Sequence, residues 1–130
     1  MNSPKYCLDT HPLVWYFTGQ KTLSNNAKRA LDDIFSGKAV GYIPSIVLLE
    51  TFHLSLKKKH FIFPDFIRKL RLGNIIIVPL DKTVLAACYK QTASLDIHDR
   101  IIAAASKVNS SILITKDASL LKNKTLKTLW

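Results

Sequence analysis

Apolar positions along the chain fall into two kinds of run. Four are short, five or six residues each, and as a set rich in Val and Ile without alternation: KYCLD (5–9), AVGYI (39–43), IIIVPL (75–80) and SILIT (111–115). Such runs predict strands covered on both faces. A fifth strand is expected in LKTLW, 126–130. The other runs recur at helical spacing. SNNAKRALDDIFS (24–36) opens with Ser24 as a cap and stops at Gly37. Helices are also predicted over 45–59, starting at Ser45 after Pro44, and over 64–72, 81–93 and 97–108. Another would carry Val14 and Trp15, and a short last one would follow Asp117. Strands alternating with helices imply βαβ units, a parallel sheet and right-handed crossovers. Sites in such α/β sheets lie at the carboxyl ends of the strands.

Length and composition narrow this further. With 130 residues, 48% hydrophobic and 22% charged, residues 1–130 are expected to form a single domain that buries roughly two-thirds of its unfolded surface. The longest apolar stretch is far short of the ~20 residues that span a bilayer, and the first ten residues, MNSPKYCLDT, have no signal-peptide core. A cytoplasmic protein is expected, with Cys7 and Cys88 as two buried, reduced thiols. The net charge of +10 points to a polyanionic partner, nucleic acid or an acidic protein. Basic residues are spread through KKKH (57–60), RKLR (68–71) and Lys116, Lys122, Lys124 and Lys127. A solvated helix face accounts for any one cluster, but not for the sum.

Only nine residues are acidic, and their placement is informative. Asp9 closes the first strand, Glu50 falls within two turns after the second, Asp96 and Asp99 open the 97–108 helix, and Asp117 follows the fourth strand. A parallel sheet puts all five at one edge. Capping accounts for Asp9, Asp96 or Asp117 taken singly. Glu50, between Ile46, Val47, Leu48, Leu49 and Phe52, needs a partner if it is buried there. Carboxylates gathered together raise one another's pKa, and a divalent cation removes that penalty. Many oxygens and few nitrogens suit Mg²⁺ or Mn²⁺, not zinc. Such a site in a basic protein suits phosphodiester hydrolysis. Thr10 and Thr115 are expected to orient neighbouring carboxylates or to cap, and Arg100 to clamp a phosphate or pair with Asp96. His11, His53 and His98 are not assigned as ligands, and Trp15 and Trp130 are read as packing residues.

The stretches LDTHPLVWYF (8–17), SIVLLETF around Glu50, DIHDRIIAAAS (96–106) and ILITKD (112–117), in this order over nearly the whole chain, resemble the motifs of PIN-domain ribonucleases. They are most similar to VapC-type toxins of toxin–antitoxin pairs. The resemblance implies a three-layer α/β/α sandwich with a parallel, five-stranded sheet and a Mg²⁺- or Mn²⁺-dependent endoribonuclease. It gives Asp9, Glu50, Asp99 and Asp117 the roles of catalytic, metal-binding acids. Asp96 matches a further acid often followed by Pro; Ile97 stands there instead. The resemblance also implies an RNA substrate, a homodimer and a small antitoxin lying in a groove beside the active site. Trp15 and Phe52 would suit such a groove, and burial in the core accounts for them equally.

Two other classes are compatible with a basic α/β domain. A non-catalytic RNA-binding or assembly module of the same fold would bind RNA without metal dependence, and retention of all four acids speaks against it. A nucleotide or phosphoacceptor domain lacks its phosphate cradle, since no G-x-G-x-x-G or G-x-x-x-x-G-K-[ST] run occurs. Within the nuclease reading, a housekeeping RNA-processing enzyme is the alternative to a toxin.

Overall fold

The computed structural model describes residues 3–91 and 94–130. Strand β1 (Lys5–Leu8) leads into helices α1 (Thr10–Thr18) and α2 (Asn25–Phe35), followed by β2 (Val40–Pro44). Helices α3 (Ser45–Lys57) and α4 (Phe63–Leu70) precede β3 (Ile75–Val78). Then come α5 (Lys82–Tyr89), α6 (Ile97–Val108), β4 (Ile112–Ile114), α7 (Ala118–Leu121) and β5 (Thr128–Leu129). The five strands form one sheet in the order β3-β2-β1-β4-β5, and every pairing is parallel. Central β1 is paired on both sides, with Cys7 opposite Tyr42 of β2 and Leu113 of β4.

This order fixes the layers. The chain steps outward from β1 to β3, then crosses back to β4 and β5. Right-handed crossovers therefore place α1–α4 on one face and α5–α7 on the other. The chain leaving β1 and the chain leaving β4 turn to opposite faces, which opens a crevice between their carboxyl ends.

Local sequence accounts for each cover. In α2 the buried positions are Ala27, Ala30, Leu31 and Ile34, the spacing of one apolar stripe. The Ser24 hydroxyl caps this helix by accepting the Ala27 N–H at 3.1 Å. A Cβ on Gly41 would lie 2.9 Å from Ile34 Cγ2, so glycine is what lets α2 sit directly on β2. Helix α6 is apolar on more than one side: Ile102 and Ala103 join the main core, while Ile101, Ala104 and Ala105 pack with Val78, Val84 and Cys88.

Several expectations shift. The 97–108 helix has the anticipated bounds, whereas the 81–93 helix ends at Tyr89, with 92–93 outside the described residues. The third strand stops at Val78, and it is not covered on both faces: Ile76 and Ile77 are 46% and 43% exposed. Its place at the sheet edge is the reason. Cys7 and Cys88 are buried and unbridged. Among the described residues no helix is long and apolar enough to cross a membrane.

Candidate active site

The crevice between β1 and β4 is where the acids collect. Asp9 follows β1 and caps α1, its Oδ1 accepting the Thr10 N–H at 2.7 Å. Its other oxygen, Oδ2, accepts the hydroxyl of Thr115 at 2.7 Å. Thr115 is fully buried just past β4, and the same hydroxyl accepts the Asp117 N–H at 3.0 Å. One threonine thus ties the turn after β4 to the carboxylate after β1. Asp117 in turn caps α7, accepting from the N–H groups of Ser119 and Leu120. Capping and a place in the site are therefore combined in Asp9 and Asp117.

The other acids arrive from helices. Glu50 lies in the second turn of α3, and its Oε1 accepts the Thr10 hydroxyl at 3.1 Å. Its Oε2 stands 3.9 Å from His98 Nδ1. The side chain is 29% exposed, and its sequence neighbours Leu49 and Phe52 are on the surface. Glu50 is therefore not buried among its apolar neighbours; it opens, with Ile46, Leu49 and Phe52, onto a cleft. Asp96 caps α6 by accepting the Asp99 N–H at 2.9 Å, which brings the Asp99 carboxyl to the same edge. Arg100 turns elsewhere: its guanidinium donates to the carbonyls of Cys88 and Gln91 at 3.3 and 3.0 Å, and so ties the end of α5 to α6.

The electrostatics record this crowding. Burial pushes Asp9 above the ordinary carboxylate range, against the opposing pull of the Thr115 hydroxyl, the Thr10 N–H and the charge of His11, while Asp117 adds to the rise. Asp99 is pushed up to about 7, first by desolvation and then by the negative charges of Asp117, Asp96, Asp9 and Glu50. Carboxylates from four parts of the chain thus bear on Asp99 at one edge of the sheet. As a donor set this is all oxygen, the chemistry that suits a hard divalent cation. A cation there would offset the repulsion that, after burial, adds to the rise of Asp99. Among the described residues, however, no three acidic, imidazole or thiol groups are yet drawn close enough to hold an ion. The residues fit such an ion in the chemistry of their donors and in lying at one edge of the sheet.

Beside the acids lies a cleft of about 430 Å³. Glu50, Thr10, His11, His53 and His98 provide its polar lining. Its apolar wall includes Ile46 and the α3 stripe Leu49, Phe52 and Leu56, of which the last three are exposed. Their spacing is that of a helix face, a pattern that in sequence looks the same whether the face is buried or open.

The comparisons with known proteins agree with the fold. The PIN domain family model matches residues 6–125. Among solved structures, VapBC2 from Rickettsia felis, bound to a DNA fragment from its promoter, superposes with a TM-score of 0.69 at 17% identity, covering 96% of this chain and 97% of that one. A toxin–antitoxin complex from Klebsiella pneumoniae gives 0.70 at 20% identity, covering 96% of each chain. FitAB bound to a DNA fragment gives 0.70 at 20% identity, covering 95% of this chain and 93% of that one. No curated protein matches the sequence. A five-stranded parallel sheet in the order β3-β2-β1-β4-β5, with a family match over all but the ends, makes this chain a member of the PIN domain family.

Proposed function

We propose that the chain is a Mg²⁺- or Mn²⁺-dependent endoribonuclease that acts as the toxin of a toxin–antitoxin pair in the cytoplasm. The observation that carries the reading is the convergence on one crevice of Asp9, Glu50, Asp99 and Asp117, in a protein of net charge +10. Asp9, Asp117, Asp99 and Glu50 would hold the metal. When bound, such an ion supplies Lewis acidity toward a phosphate and lowers the pKa of water. The chain's own residues do the rest. Thr115 fixes the direction of the Asp9 carboxylate through its hydroxyl. Thr10 does the same for Glu50. Asp96 caps the helix that presents Asp99, and Arg100 braces that helix against the end of α5. Basic side chains around the notch hold the RNA backbone.

The toxin assignment is supported by the company the fold keeps, toxin–antitoxin complexes among them. The cleft beside Glu50 suits the apolar face of a small antitoxin. A segment seated there would cover Glu50 and His98 and so block the site. Exposed apolar residues on β3 and α5, Ile76, Ile77, Leu85 and Tyr89, suit a homodimer contact.

Because the RNA target is open, the deciding experiment starts with metal. Millimolar Mn²⁺ should raise the unfolding temperature of the wild type, since a ligand of the native state stabilises it, and should leave the Asp9→Asn/Asp117→Asn double variant unmoved. The wild type should then cleave a mixed pool of cellular RNA and the double variant should not. Equal cleavage by both would overturn the assignment of these acids. RNA binding with neither a metal shift nor cleavage would make the chain a non-catalytic RNA-binding module.

A further inference from the structure

A second, larger groove of about 830 Å³ lies at the far end of α1 and α3. One wall is the end of α1, with Trp15 and Phe17; the other is the basic turn Lys57, Lys58, Lys59 and His60 that closes α3. All four basic-turn residues are exposed. Among the described residues none of the three lysines takes part in an ion pair. Three cations therefore face a groove without a compensating acid, opposite a partly exposed indole.

Two side-chain contacts link the groove to the carboxylate edge. His11, one helical turn before Trp15, lines the cleft that holds Glu50, and its ring centre is 5.5 Å from that of Trp15. On the other side Lys116, next to Asp117, places its ammonium 5.8 Å from the centre of the Trp15 ring. Along α3, Lys57 is seven residues beyond Glu50, about 10 Å at the rise of a helix. That is the reach of a few nucleotides, not of a separate site.

We propose that this groove is the track for single-stranded RNA flanking the scissile phosphate. A base packs against the exposed part of Trp15, and the neighbouring phosphates pair with Lys57, Lys58 and Lys59. The inference rests on the ribonuclease reading and adds to it a direction, along α1 from the acids to the basic turn. RNA is favoured over an acidic peptide because the lysines stand opposite an aromatic surface. Phosphates and bases use both walls, whereas carboxylates use only one.

The test is a titration with hexauridylate in the absence of divalent ions, followed by the emission of Trp15 in a Trp130→Phe background. Quenching should accompany binding. Replacing Lys57, Lys58 and Lys59 together by Ala should weaken binding at least about tenfold at low salt and lower the slope of log K against log salt by about 2. The same change at Lys122, Lys124 and Lys127 should do markedly less. Trp15→Phe should retain the salt slope while weakening binding. Steep salt-dependent binding with no Trp15 quenching, or equal losses from the two triple variants, would overturn the track while leaving the ribonuclease reading standing. Absence of hexauridylate binding by the unmodified protein would also overturn the track, and the ribonuclease reading would then stand or fall on cleavage of the mixed RNA pool. Equal binding and quenching by hexaglutamate would reassign the groove to an acidic peptide.

Discussion

Asp9 and Asp99 face the same crevice but are held in different ways. Asp9 stands between the two central strands, and both its oxygens are occupied, one by the Thr10 N–H and one by the buried Thr115 hydroxyl. Asp99 sits in the first turn of α6 and is surrounded by four other acids, with its pKa pushed up to about 7. The strand side of the site is pinned by these hydrogen bonds. On the helix side, burial and then the charges of its neighbours raise Asp99. One half of the site is fixed, and the other, crowded, responds to pH.

The largest effects are expected on the fixed side of the site. Asp9→Asn should leave the circular dichroism spectrum unchanged and lower RNA cleavage by at least about 100-fold, more than the loss typical of a residue one step removed from a metal. Next in size is Thr115→Val. It leaves a buried carboxylate oxygen and the Asp117 N–H without their partner, and should cost about 1–3 kcal/mol in a urea titration. Metal affinity, read by calorimetry, should fall about 10- to 100-fold.

The responsive half predicts a pH effect of defined sign. Asp99 binds its proton more tightly in the folded protein than the ordinary value of 3.8 allows. Its contribution to stability is therefore greatest at low pH, declines as pH rises from about 4 to about 7, and is flat above. Asp99→Asn should remove that decline, so its unfolding temperature should exceed that of the wild type at pH 8 and converge with it near pH 4. A variant no more stable than wild type at pH 8 would show that the crowding is relieved without an ion. The smallest effect is expected of Thr10→Val, which removes only a 3.1 Å hydrogen bond to a partly exposed Glu50. It should cost about 0.5–1.5 kcal/mol and reduce cleavage less than Thr115→Val.

Much of this arrangement is legible in the chain. Asp9, Asp96, Asp99 and Asp117 fall at strand ends and helix starts that local pattern reveals, and the bounds of α6 follow from its apolar run and its capping Asp96. What depends on distant parts of the chain is not legible. The exposure of Ile76 and Ile77 follows from β3 being an edge strand, a fact of strand order. Glu50 is at the right edge, but its surroundings depend on how α3 is rotated. The same rotation leaves Leu49, Phe52 and Leu56 open. Arg100 bonds to carbonyls contributed by α5 and the turn after it, and no local pattern announces such partners.

The sheet order has a consequence for the time at which the carboxylate site can form. The first strand to be made, β1, is the central one, and it stays half-paired until β4 is available, 106 residues separating Asp9 from the hydroxyl that orients it. Loop closure over such a span is slow relative to local pairing. A chain still on the ribosome can complete α1 and α2 and pair β1 with β2, yet it has neither Thr115 nor Asp117 in place. Assembly of the site is thereby deferred until β4 and the turn after it have been made, long after the strand that carries Asp9.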